Sequence, residues 1–318
     1  MLDVLVLDRD AEVYSEAIGK ALPDVRAFAA TNERAALGGC AEAEVAVALA
    51  HVISDRLVAA MPRLRFIQAL TTGIDHLTTL ALPPGVAIAS MRGIHGPQMS
   101  ELAFLYMIAL YRDFSGMQAN QRLKRWERWP QRLLLDKTAV LVGVGAISEE
   151  LASRAKAFGM RVIGVSDSRA SVPGFDELTP RRELRAAAAR ADFLIVLAPL
   201  TPTTRRMIDA AVIAAMKPGA VLVNLARGPV VDEAALIAAL RSGHLGGAGL
   251  DVFESEPLPT DSALWDLPNV IVTPRIGGMS DVYAQQALPL VLENLAAWKT
   301  SGARALRNRV DLSGVTHR

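Results

Sequence analysis

The sequence predicts an α/β protein built on parallel sheets covered by helices. Short apolar runs alternate with helical patterns almost from end to end, as expected for parallel strands joined by helical crossovers. A length of 318 residues suggests two domains. A composition of 51% hydrophobic and 21% charged residues can bury large cores and excludes a disordered chain.

The N-terminus "MLDVLVLDRD" has acidic residues where a leader would carry basic ones, so it reads as a first strand at 4–7. Further strands are expected at 45–50, 66–70 and 86–89, with helices near 11–22 and 54–61. A long helix should follow "GIHGP", over about 98–114, with Pro97 in its first turn. Its apolar stretch, 102–111, is too short to span a bilayer and reads as a buried helix, so no membrane segment is expected.

The basic, aromatic segment "NQRLKRWERWPQR", 120–132, breaks the alternation. It reads either as a nucleic-acid patch or as a solvated connector whose tryptophans, Trp126 and Trp129, pack on a neighbour. With 34 basic and 33 acidic residues the chain has no basic excess, which favours the connector and gives no reason to expect nucleic acid or an anionic membrane as partner.

A second alternating series follows. Strands are expected at 139–142, 161–165, 193–197, 221–224, 249–252 and 270–272, with helices at 148–158, 181–189, 209–216 and 232–242. Six strands with helical crossovers are what a dinucleotide-binding fold needs. After residue 281 a helix and then a polar, loose tail are expected. The single cysteine, Cys40, excludes a disulfide within the chain and fits a reducing, cytoplasmic setting. His51, His76, His95, His244 and His317 are scattered, and no metal-ligand spacing occurs, so no metal is expected.

The stretch "AVLVGVGAISEELASRAKAFGMRVIGVSDS" follows a strand and opens a helix. Gly143 and Gly145 supply the first two glycines of G-x-G-x-x-G, the first for a tight turn and the second for close approach of backbone to a pyrophosphate. Ser148 stands where the third belongs; being small, it weakens close helix–strand packing without abolishing it. The helix start at Ala146 and Ile147 offers free N–H groups and positive dipole to phosphate. Asp167, at the end of the next strand, is placed to hold ribose hydroxyls and favours NAD over NADP, whose 2′-phosphate it would repel; Arg169 nearby keeps NADP in view. The alternative is a tight turn that binds nothing.

Three further segments, "VLVNLARGPVVDE", "GAGLDVFESEPLP" and "LWDLPNVIVTPRIGG", join "TTGID" and "RGIHGPQMSELAFLYMIALYR". Together they resemble the D-isomer-specific 2-hydroxyacid dehydrogenases, over about 68–297 and in that family's order. The resemblance implies a Rossmann-type doubly wound domain, 97–281, inserted into a discontinuous flavodoxin-like substrate domain, 1–96 and 282–318, in a homodimer. It implies NAD as cofactor and a small 2-oxo or 2-hydroxy acid as substrate. Arg227 matches the family arginine that anchors the 2-oxo acid, a role that suits a guanidinium fork, although such an arginine can also simply cap a strand end. Glu256 matches the glutamate that tunes a catalytic histidine, with Glu254 beside it. Asp251 matches the aspartate facing the nicotinamide amide, and Ala198, Ala226 and Gly277 are carried over as further cofactor contacts. Thr71, Thr72 and Gly73 match the loop whose backbone N–H groups meet the substrate carboxylate.

In one place the chain departs from the family. Where the histidine follows Thr-Pro, this sequence has Arg275, which does not titrate near neutral pH. General acid–base catalysis commonly supplies about 10²–10⁴-fold, so the exchange predicts a slow enzyme rather than a dead one. Arginine can still stabilise a developing alkoxide, while a water or His95 carries the proton. Formate-type relatives need no base, but they carry an amide where Glu256 stands. The rival expectation is an NAD(H)-binding regulatory or sensor protein of the same fold with little or no turnover.

Overall fold

The computed structural model describes residues 1–310; the expected loose tail and His317 lie outside the described residues. The chain divides into two compact units, Met1–Ile94 with Ser280–Arg318, and His95–Met279.

The first unit holds a parallel sheet of β1 (Leu2–Leu7), β2 (Val25–Ala30), β3 (Val45–Ala48), β4 (Phe66–Ala69) and β5 (Ala87–Ala89), in the order β2-β1-β3-β4-β5. That is the flavodoxin-like order. Strand residues alternate between two faces. Val4, Val6, Val45 and Val47 meet Tyr14 and Ile18 of α1 (Ala11–Ala21) and Leu295 of the C-terminal helix Tyr283–Ser301. Leu5, Ala46 and Ile67 meet Ala36 of α2 (Glu33–Leu37) and Leu57 of α3 (Asp55–Ala59). Sequence periodicity misses β2, an edge strand with alternating exposure that lacks a continuous apolar run.

In the second unit a long helix, α4 (Gly96–Tyr111), is followed by α5 (Phe114–Arg122). The single helix expected over 98–114 therefore ends early. Asp113 takes a left-handed backbone, φ 52°, and its carboxylate accepts from the Gly116 N–H at 3.1 Å, starting α5. The expected connector begins inside α5, and Trp126 is 93% exposed, so it does not pack on a neighbour within this chain.

A seven-stranded parallel sheet follows: β6 (Thr138–Val142), β7 (Arg161–Val165), β8 (Glu177–Thr179), β9 (Phe193–Val196), β10 (Ala220–Asn224), β11 (Leu245–Leu250) and β12 (Val270–Val272). Its order, β12-β11-β10-β9-β6-β7-β8, is the doubly wound Rossmann arrangement extended by one strand. The short edge strand β8 was not expected; it begins on Glu177 and spans three residues. One face is covered by α4 and α6 (Ala146–Ala157), the other by α7 (Leu184–Ala188), α8 (Ala210–Ala215) and α9 (Glu233–Arg241). The apolar stretch 102–111 lies in α4 and is largely buried, as expected.

Tyr106 of α4 packs closely against β11 at Gly249. A Cβ added at Gly249 would fall 2.3 Å from its ring, so only glycine fits beneath it. Gly249→Ala should lower the unfolding free energy by about 1–3 kcal/mol through overpacking. Urea denaturation followed by circular dichroism reads this directly; an unchanged midpoint would refute the close approach.

Candidate active site

The residues singled out in the second unit follow the carboxyl ends of its strands, where doubly wound sheets bind ligands. Gly143 follows β6 with φ 100°, and a Cβ there would lie 2.7 Å from the Ala198 amide nitrogen, which follows β9. This is the switch point, where the chain leaves adjacent strands β6 and β9 in opposite directions. Nothing stands within 4 Å of a Cβ added at Gly145, so the N-terminus of α6, with Ala146 and Ile147, opens onto free space. Free amides, helix dipole and absence of a side chain fit a dinucleotide pyrophosphate.

Ser148 does more than weaken a glycine. It is 1% exposed, its hydroxyl donates to the Gly143 carbonyl, and its Oγ accepts from the Gly145 N–H at 3.3 Å. The serine three residues past the cap is half of a capping box, the signal that identifies this role. Beyond β7, Asp167 Oδ1 accepts from the Arg181 N–H at 2.8 Å, and Oδ2 lies 2.9 Å from Arg181 Nη2. Arg169 pairs instead with Glu149, at 3.2 Å.

Arg227 follows β10, beside Ala226. Buried Asn224 shapes this exit: its Nδ2 donates to the Arg227 carbonyl and its Oδ1 accepts from the Ala226 N–H, each at 3.1 Å. Arg227 Nη1 donates to the Ala226 carbonyl at 2.7 Å. A Cβ at Gly228 would fall 1.8 Å from the Phe253 carbonyl, so the loops leaving β10 and β11 touch backbone to backbone. Glu256, in the second loop, accepts from the Phe253 N–H at 3.1 Å through Oε1 and forms an ion pair with Arg275 Nη1 through Oε2. Glu254 turns away, 3.7 Å from Arg206.

Arg275 has φ 56°, a left-handed backbone that arginine rarely adopts. The surrounding turn is fixed by Asp251, which is 3% exposed. Its Oδ1 accepts from the Ile276 N–H at 2.9 Å and from the Thr273 hydroxyl, and its Oδ2 accepts from the Gly277 N–H at 2.9 Å. Thr273 in turn meets the Tyr106 hydroxyl. Burial pushes the Asp251 carboxyl up; the three hydrogen bonds and the Arg275 charge pull the other way. Thr273 and Tyr106 escape sequence reasoning because 167 residues separate them, whereas the Thr-Pro marks only the turn. His95, buried at the start of α4, lies 3.3 Å from a Cβ added at Gly278, so its ring lies beside the same turn.

In the first unit, Thr71, Thr72 and Gly73 follow β4. Thr71 Oγ1 donates to the Gly73 carbonyl at 2.7 Å, and the Thr71 carbonyl accepts from the Met91 N–H at 2.9 Å. His76 is hydrogen-bonded to the Ile53 carbonyl at 2.8 Å. Among the described residues no cluster of His, Cys, Asp and Glu could hold a metal ion, and no helix is long and apolar enough to cross a membrane.

Comparison with known proteins places these features in a family. The model of the D-isomer specific 2-hydroxyacid dehydrogenase NAD-binding domain matches residues 104–277. A D-3-phosphoglycerate dehydrogenase of Mycobacterium leprae is 34% identical over 287 residues, covering 86% of this chain and 52% of that protein, so the chain spans about half the length of that relative. A solved D-isomer specific 2-hydroxyacid dehydrogenase family protein of Aeromonas salmonicida is 32% identical, covers 98% of this chain and 99% of its own, and superposes with a TM-score of 0.90. A solved NADPH-dependent glyoxylate/hydroxypyruvate reductase of Sinorhizobium meliloti, in complex with NADP and sulfate, is 29% identical, covers 99% and 100%, and has a TM-score of 0.84. By sequence and by fold, this chain belongs to the D-isomer specific 2-hydroxyacid dehydrogenase family.

Proposed function

We propose that the chain is an NAD(H)-dependent oxidoreductase acting on a small 2-oxo or 2-hydroxy acid, slowed by Arg275 in the place of a catalytic histidine. The observation that carries this reading is the Arg275–Glu256 ion pair, held in a left-handed turn by buried Asp251. A bound nicotinamide dinucleotide supplies or accepts the hydride. The glycine turn at Gly143–Gly145 and the start of α6 receive its pyrophosphate, with Ala198, Ala226, Asp251 and Gly277 as the further contacts. Asp167 at the end of β7 is placed for the ribose hydroxyls and by itself favours NAD.

The Arg227 guanidinium grips the substrate carboxylate and polarises the neighbouring carbonyl. Thr71, Thr72 and Gly73, in the first unit, are assigned to substrate binding through their backbone N–H groups, as the family resemblance implies. Arg275 holds a permanent positive charge for the oxygen that becomes an alkoxide, and Glu256 fixes its direction. A guanidinium does not exchange its proton near neutral pH, so the proton comes from water. The same ion pair favours a second reading, an NAD(H)-binding regulator with little or no turnover. Glyoxylate and hydroxypyruvate, named for the Sinorhizobium meliloti reductase, are the first substrates to screen.

The exposed apolar side chains Leu105, Ile108, Phe114, Leu123 and Trp126 lie on α4, α5 and the loop after them, and they support a homodimer built on this surface. Light scattering should give twice the monomer mass at micromolar concentration, and Trp126→Glu should shift it toward monomer. A monomeric native protein would refute the assembly.

The activity is tested by NADH oxidation across 2-oxo acids, from pH 5 to 9, for the native chain, Arg275→His and Arg227→Ala. The native chain should turn over slowly without a near-neutral inflection. Arg275→His should gain that inflection and raise kcat at least about tenfold, the low end of the acid–base range. Arg227→Ala should lose at least about tenfold in kcat/KM, as expected for a charge-assisted contact. A native profile that matches the histidine variant would move the proton-carrying role to another group, His95 first. Tight NADH binding with no turnover in any 2-oxo acid would establish the regulatory reading instead.

A further inference from the structure

We propose that Arg181 sets the choice between NAD and NADP, by neutralising Asp167 and presenting its guanidinium to a 2′-phosphate, so that the chain accepts both dinucleotides. The proposal rests on the dinucleotide reading of the carboxyl edge of the seven-stranded sheet.

An acid at the end of β7 would by itself repel a 2′-phosphate. Here that acid is not alone. The sheet register sets Thr179, the last residue of β8, beside Val165, the last of β7, and the Ser166 N–H donates to the Thr179 carbonyl at 3.0 Å. Two residues later, across Pro180, the chain brings Arg181 against Asp167. The contact is double: the backbone N–H at 2.8 Å to one carboxylate oxygen, the guanidinium at 2.9 Å to the other. A third bond, Nη1 to Thr203 Oγ1 at 3.1 Å, steadies the guanidinium from the loop that follows β9.

The chemistry of the two groups leaves both cofactors possible. A carboxylate has about four acceptor sites, so one engaged by Arg181 can still receive ribose hydroxyls. A guanidinium has five N–H donors in a fork that matches phosphate, so it can meet a 2′-phosphate while its charge offsets the carboxylate. Arg169, the arginine nearest in sequence, is drawn off by Glu149 and is not the one bound to Asp167. Both side chains of the Asp167–Arg181 pair remain partly exposed, at 50% and 38%, so a ligand can reach them and the pair contributes little to folding. Because one of the two contacts to Asp167 is a backbone N–H, replacing the Arg181 side chain leaves that contact in place.

The experiment is equilibrium titration of the full chain with NADH and NADPH, read by quenching of tryptophan fluorescence, for native protein, Arg181→Ala, Arg181→Lys and Asp167→Ala at low and high salt. Arg181→Ala should raise the ratio of the NADPH to the NADH dissociation constant by about two- to fivefold, roughly what one exposed charge contributes, mainly by weakening NADPH. Arg181→Lys should fall between native and alanine, Asp167→Ala should lower the ratio, and high salt should shrink the differences. If both dinucleotides bind and Arg181→Ala leaves the ratio unchanged, Arg181 is only the ion-pair partner of Asp167 and the proposal fails while the cofactor reading stands. If the native chain binds neither dinucleotide, both fail.

Discussion

Asp251 leaves β11 with its carboxylate out of water, and burying an unpaired carboxylate costs several kcal/mol. Three donors offset that cost: the Ile276 and Gly277 amides and the Thr273 hydroxyl. All three come from the loop after β12, so satisfying one side chain fixes one turn. Tyr106 reaches the same turn from α4 through Thr273, and Gly249 gives the tyrosine room to lie on the sheet. The left-handed backbone of Arg275 is a product of that turn, and so is the direction in which its guanidinium meets Glu256. A carboxyl raised by burial binds its proton more readily folded than unfolded. Taken alone, Asp251 therefore favours the folded state in acid and opposes it as pH climbs past its folded value.

On the proposed reading, the exchange of imidazole for guanidinium would alter one function and leave the rest of the site in place. The glycine turn, the helix N-terminus, the β10 exit with Arg227, and Glu256 all keep their places. On that reading, electrostatic help to a developing alkoxide would survive the exchange, because a guanidinium carries the charge permanently. What changes is proton exchange near neutral pH, which an imidazole performs and a guanidinium does not.

Much of this was legible in the sequence because it is local. Strand β6, Gly143, Gly145 and the start of α6 lie within a few residues of one another, and Arg227, Glu256 and Arg275 each sit in a short motif just past the end of one strand. What escaped was set by tertiary contact. Strands β2 and β8 lie at sheet edges, where an apolar run is not required. The break between α4 and α5 rests on a left-handed aspartate that no periodicity announces. Ser148 reads in sequence as an imperfect glycine, whereas its two hydrogen bonds make it a cap, and the sequence offers Arg169 beside Asp167, whereas β8 brings Arg181 there instead.

Amide hydrogen exchange at Ile276 and Gly277, in the native chain and in Asp251→Asn, tests most directly whether the buried carboxylate holds the turn of Arg275. Loss of a charged acceptor from a buried hydrogen bond is worth about 1–3 kcal/mol, so both amides should exchange at least about tenfold faster in the variant, while the amides of β9 and β10 keep their protection. Unchanged exchange at both amides would show that the turn stands without Asp251, and would contradict the account.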